Sequence, residues 1–231
     1  MTQRSILAGE APIVIIKAGG SVTVRGHDSE RVSAETASRW GLKVERRSQS
    51  EIARARAAIG EHVLFDLRLK LPDLKGEHAS DEVIEVQFGG SGEVLVPFAS
   101  NLKVYAGKNI DVQGIRGQVD AYSGYKMSLQ EVYRLGHASA GGSMDLNCQS
   151  MLGDQVEFSA GSDLRFHVRD LTSAHIRVRD LGGYWEARIG SGGKSVTLKS
   201  GGDVTIVTDQ KVEPLPPDYI LGKIEKPSVE E

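Results

Sequence analysis

At 231 residues the chain can bury a full core. A net charge of -3, with 28 basic and 31 acidic residues scattered along the sequence, excludes the cationic groove of a nucleic-acid binder and a basic membrane-binding face. One cysteine, Cys148, rules out an internal disulfide framework, and no apolar run has the length of a signal peptide or a membrane span. The expected location is the cytoplasm, with the cell surface kept open.

Residues 1–12 read as a loose leader. An N-terminal β region follows over 13–97. In it Ile13 to Ile16 and Val22 to Val24 are two strands around the Gly19-Gly20 turn. Ser48-Gln-Ser-Glu51 fits a capping box, and Ile52 to Ile59 is a helix former that stops at Gly60, so a helix is expected from about 48 to 59. Phe65, Leu67, Leu69 and Leu71 alternate with charged residues, as do Ile84, Val86 and Phe88, which predicts an antiparallel hairpin over about 63–88.

From 98 to 209 short apolar-polar-apolar pieces recur. One series starts at 119, 138, 156, 176 and 196; the other starts at 110, 127, 144, 164, 184 and 204. A step of 17 to 20 residues with constant alternation predicts an all-β fold, a β-solenoid or stacked β-prism of coils of about 20 residues. Twenty-seven glycines suit a fold with a tight corner at every coil. Residues 210–231, with Pro214, Pro216, Pro217 and Pro227, form a tail, disordered or laid along a neighbour.

Three places resemble a known family. Gly20-Ser-Val-Thr-Val-Arg-Gly26, Val94-Leu-Val-Pro97 with Leu102-Lys-Val-Tyr105, and Asp111-Val-Gln-Gly114-Ile-Arg-Gly117-Gln-Val119 are similar to the opening, entry and linker motifs of the DUF4097 family of bacterial β-strand-repeat proteins, often labelled adhesin-like. The resemblance covers most of residues 13–208. It implies a β-repeat fold and transfers no catalytic residues. Bactofilins, β-solenoids that polymerise end to end, resemble the chain in architecture only.

Several motifs have ordinary explanations. Gly190-Ser-Gly-Gly193-Lys194-Ser195 looks like a phosphate loop, but Arg188 stands where the Walker pattern needs glycine, and a strand follows instead of a helix. His27, His62, His78, His137, His167 and His175 show no metal spacing, although His167 and His175 can lie on facing strands. Asp111, Asp120, Asp145 and Glu157 sit mid-strand, where a carbohydrate-active β-helix would carry a carboxylate groove, yet later coils hold Arg165, Arg177, Thr197 and Thr205 there. Cys148 reads as an inert core thiol. Thr23, Thr197 and Thr205 are too few for an ice-binding face.

No cofactor, metal or catalytic residue is expected. The sequence favours a non-enzymatic structural protein that self-associates through solenoid ends, into filaments or another homopolymer. Two features point there: an acid-to-base gradient from Asp111, Asp120 and Asp145 to Arg165, Arg169, Arg177, Arg179 and Arg188, and a last coil with no capping helix. The candidate edge is Val204, Thr205, Ile206 and Val207. The alternative is an adhesin-like module whose flat face engages a surface polymer or protein; a carbohydrate-active enzyme comes third.

Overall fold

Alternation with a period of two puts successive side chains on opposite faces of an extended backbone, and the chain follows that rule throughout. The computed structural model describes residues 1–9, 11–39, 41–48, 82–215 and 223–225, and every element of regular structure in it is a β-strand. The helix expected from about 48 to 59 lies outside the described residues, save Ser48, which ends a strand. Phe65 to Leu71 lie outside them as well.

The strands form one 19-stranded sheet that runs as two columns. The first passes, neighbour to neighbour, through β5 (Leu42–Ser48), β6 (Glu82–Phe88), β2 (Ile13–Ala18), β8 (Asn101–Ala106) and the second halves of β9 (Ile110–Ser123) and β10 (Met127–Ala140). It continues through β12 (Gln155–Ala160), β16 (Lys194–Ser200), β14 (Ala174–Asp180), β15 (Gly183–Ile189) and β18 (Val212–Leu215). The second column begins with β1 (Thr2–Leu7), β4 (Arg31–Thr36), β7 (Gly92–Pro97) and β3 (Val22–His27). It continues through the first halves of β9 and β10, then β11 (Met144–Met151), β13 (Leu164–Val168), β17 (Val204–Val207) and β19 (Lys223–Glu225). Both columns are parallel in their middles. Antiparallel strands stand at the β5 and β1 ends and at β15 and β18.

Parallel strands are stable when their faces are covered, and here the two columns cover each other. Ile16, Val104, Ala121, Phe158 and Leu198 of the first column belong to the same continuous buried cluster as Val24, Val112, Leu129, Leu146 and Phe166 of the second. Each such Val, Leu, Ile or Phe side chain contributes about 1.5–3 kcal/mol on leaving water. The apolar-polar-apolar pieces read from the sequence thus have their apolar members inside.

Passing from the first column to the second requires a corner, and small residues make it. Gly89, Gly19, Gly107, Gly124, Gly141, Gly161 and Gly201 stack one on the next, each so close that a Cβ would run into the carbonyl oxygen of the glycine before it in the stack. The requirement is close approach of one backbone to another, the second use of glycine besides positive φ.

Several expectations need correction. The steady 20-residue step continues through 176 and 184 in the sequence, but there the chain turns back. β14 and β15 form an antiparallel hairpin closed by Leu181-Gly182, with Gly183 at a φ of 128° and the Gly182 N–H donating to Asp180 Oδ1 at 3.0 Å. Consequently β12 neighbours β16, and β13 neighbours β17, forty residues ahead. The presumed leader is not loose: Thr2 to Leu7 pair with Arg31 to Thr36. Of the hairpin expected over about 63–88, the first arm lies outside the described residues; β6 has antiparallel β5 on one side and parallel β2 on the other.

The tail supplies β18 and β19, which extend both columns. Val204 to Val207 is therefore not an open edge: β13 flanks it on one side, and on the other Thr205, Ile206 and Val207 face Lys223, Ile224 and Glu225. β18 carries Pro214, and a residue without an N–H belongs at the margin of a sheet.

Candidate functional site

Parallel, in-register pairing ranks side chains across a column at about 4.8 Å per strand. On the outward face of the first column one rank reads Gln87, Lys17, Tyr105, Tyr122, Ser139, Ser159, Lys199. Tyr105 and Tyr122 stack with ring centroids 5.1 Å apart and planes 8° from parallel, and Tyr122 meets the His137 ring at 5.6 Å. Offset aromatic stacks of this kind add about 0.5–1.5 kcal/mol beyond area burial and hold the rings in one orientation.

Beside this rank lies an open groove of about 690 Å³, lined by Lys17, Gln87, Phe88, Tyr105, Tyr122 and Ser139 and floored by the backbone of Gly19, Gly107 and Gly124. That volume lies within the range of small-ligand and polymer-subsite clefts. Because the floor is bare backbone, a ligand can approach the main chain closely.

The adjoining rank fixes the groove's electrostatics. Glu85 is buried, accepts from Lys17 Nζ at 2.6 Å and Gln87 Nε2 at 2.8 Å, and pairs with Arg47 Nε at 3.2 Å. Burial pushes its carboxyl up, and the bonds from Lys17 and Gln87 with the Arg47 charge more than reverse this, leaving it below the usual carboxylate range. Asp120 is buried and accepts the His137 N–H at 3.0 Å, which holds the irregularity where β9 and β10 slip register between Leu135 and His137. Burial raises the Tyr122 phenol above its ordinary pKa, with help from the Asp120 charge, so it stays a neutral hydrogen-bonding group.

The residues singled out from the sequence do not converge. Asp111 and Asp145 stand on the second column and Asp120 and Glu157 on the first. Each has its own setting: Asp111 with Arg25 at 2.7 Å, Glu157 with Lys199 at 2.6 Å, Asp120 as above, and Asp145 among Arg165, Gln130 and His167. His167 and His175 belong to different columns, and His175 Nε2 meets Glu186 at 2.8 Å. Among the described residues no group of three or more His, Cys, Asp or Glu can hold a metal ion. No helix in them is long and apolar enough to cross a membrane. The segment before Lys194 is a turn with Gly190 and Gly192 at positive φ, leading into strand β16. Cys148 is buried, and burial pushes its thiol up to about 12, as an inert core thiol requires. Of the arginines at the basic end, Arg188 pairs with Glu213 at 3.0 Å and Arg177 with Glu186 at 3.6 Å within the chain.

The Tyr105 and Tyr122 stack was missed in the sequence, though its signal is there. The two are 17 residues apart, the same step that separates Ile110 from Met127.

No protein-family model and no curated protein matches the chain. The solved structure of a putative cell adhesion protein from Clostridium sporogenes is similar to it at 9% identity and a TM-score of 0.43, covering 90% of this chain and 99% of that one. A likeness this loose transfers neither fold nor role.

Proposed function

We propose that the protein is a non-enzymatic, adhesin-like binding module: a β-solenoid whose two columns are its faces, and whose first-column face lays a surface polymer along the groove. The observation that carries the reading is the Tyr105–Tyr122 stack, with the His137 ring against it from the adjoining rank, beside a cleft lined by glycine backbone. Ranked side chains on a rigid parallel scaffold suit a ligand with its own linear repeat, because each strand adds one contact in the same direction. Support for the solenoid comes from the registers: Ile110 faces Met127, Met127 faces Met144, and Met144 faces Leu164.

Self-association through the last coil loses its main support, since the edge it needs is paired within the chain. The binding reading is tested by glycan-array and intact-cell binding of the protein and of its Tyr105→Ala/Tyr122→Ala variant, with thermal unfolding to verify folding. Removing two aromatic contacts, each worth about 0.5–1.5 kcal/mol, is expected to weaken binding about tenfold. A folded variant with unchanged binding, or recovery of the protein only from the cytosol on cell fractionation, overturns the reading.

A further inference from the structure

A second cluster of polar side chains lies away from the groove, where the chain crosses between columns. Ile115, Val132, Cys148 and Val168 face one another on consecutive strands and point into the core. The residue after each is therefore displayed at the same level: Arg116, Tyr133, Gln149 and Arg169. Three strand spacings separate the first from the last, about 14 Å at the backbone. A cavity of about 280 Å³ lies against this rank, bordered also by Glu131 and Asn147.

Three observations mark the cavity as more than a surface irregularity. Glu131, at a φ of 55°, is the one non-glycine residue with positive φ among the described residues, and it sits where β10 slips register against β11. Backbone strain of about 1–3 kcal/mol persists where surrounding structure imposes it, often at ligand sites. The Asn147 Oδ1 atom is buried and has no hydrogen-bond partner, a condition that costs about 1–3 kcal/mol unless a donor arrives. The side chains are also held ready. The Arg116 guanidinium lies 5.1 Å over the Phe98 ring, Gln149 Nε2 donates to Asp170 Oδ1 at 2.7 Å, and Tyr133 is 51% exposed.

We infer that this cleft binds a linear acidic polysaccharide, a polymer of pyranose rings carrying carboxylates. The inference concerns a site separate from the groove and goes beyond the proposed function. Arg116 and Arg169 present guanidinium forks at the two ends of the rank, and a guanidinium matches a carboxylate bidentately. Between them Tyr133 offers an aromatic ring for the C–H face of a sugar. Asn147 borders the cleft, and its Oδ1 accepts from a ligand hydroxyl once a small side-chain shift uncovers it. Glu131 and Gln149 take further hydroxyl hydrogen bonds, and the Glu131 charge limits how much anion the cleft tolerates. A polyanion without hydroxyl groups leaves Asn147 unsatisfied.

Isothermal titration of a galacturonate hexasaccharide, a neutral maltohexaose and polyacrylate tests the inference. Expected are binding of the galacturonate, weakening but not loss as salt rises, and no comparable binding of the other two. Arg116→Gln/Arg169→Gln is expected to weaken galacturonate binding at least tenfold, Tyr133→Ala about fivefold, while Glu131→Gln tightens it. The Tyr105→Ala/Tyr122→Ala variant keeps it, which separates this site from the groove. No galacturonate binding at millimolar concentration, equal binding of maltohexaose or polyacrylate, or unchanged binding by an arginine-pair variant with the parent unfolding temperature overturns the inference.

Discussion

Single residues decide how closely the strands can stack at the corner. Gly124 has Gly107 against it and Gly141 beyond, and a Cβ there meets the Gly107 carbonyl oxygen, which belongs to backbone and cannot swing aside. Gly124→Ala is expected to destabilise the fold by about 1–3 kcal/mol, as other overpacked sites do, with an unchanged urea m-value. Asp145 shows the opposite balance. Burial raises its carboxyl above the ordinary value, against the pull of Arg165, Gln130 and His167. A raised carboxyl favours the fold below the usual carboxylate range and loses that contribution as pH rises through its folded pKa. Asp145→Asn is therefore expected to unfold at a slightly higher temperature than the parent at pH 7, by less than about 1 kcal/mol given its contact with solvent, the gap closing on acidification. A lower unfolding temperature at pH 7 contradicts this account.

At the scale of elements, what was legible followed alternation. The pieces at Ile110, Met127, Met144, Leu164, Val196 and Val204 are strands with the expected faces inside, because apolar alternation over three residues leaves little choice once a core exists. What failed was the assignment of neighbours. Ala174 to Ile189 keeps the same alternation and spacing while reversing direction at Leu181-Gly182, and periodicity carries no sign for direction. The strand at Val212 was unreadable for another reason: Pro214 removes a donor, which disqualifies a central strand but suits a marginal one. Neither the Tyr105–Tyr122 stack nor the rank from Arg116 to Arg169 was read, since both arise from residues 16 to 20 apart that only stacking brings together. The marginal strands have a consequence for association. A chain ending at residue 210 lacks β18 and β19 and leaves β15 and β17 each with one unpaired side. Unpaired edges template pairing between chains, so this truncation is expected to form dimers or larger species in light scattering where the full chain does not. A truncated protein of unchanged size shows that these strands protect nothing.

At the scale of the whole molecule, the margins and the middle obey different rules. The middle is parallel and repeated; the ends are antiparallel or carry charge and proline, as in β5 with Lys43, Glu45, Arg46 and Arg47. Such side chains blunt a sheet edge against pairing with another chain. The cytoplasmic reading of the sequence and the binding reading of the structure diverge at this scale, and fractionation decides between them.

The register between β9 and β10 bears on how such a molecule changes over time. Ile110 faces Met127 and Ser123 faces Ala140, an offset of 17 at both ends, and Met127 faces Met144 by the same count. Excising 127–143 would seat Met144 on Ile110 with every inward residue still inward. Gain or loss of a whole storey is thus a single genetic event that leaves roof and foundation alone. The number of ranked side chains that each column displays is quantised, and selection can lengthen or shorten the rank in whole-number steps.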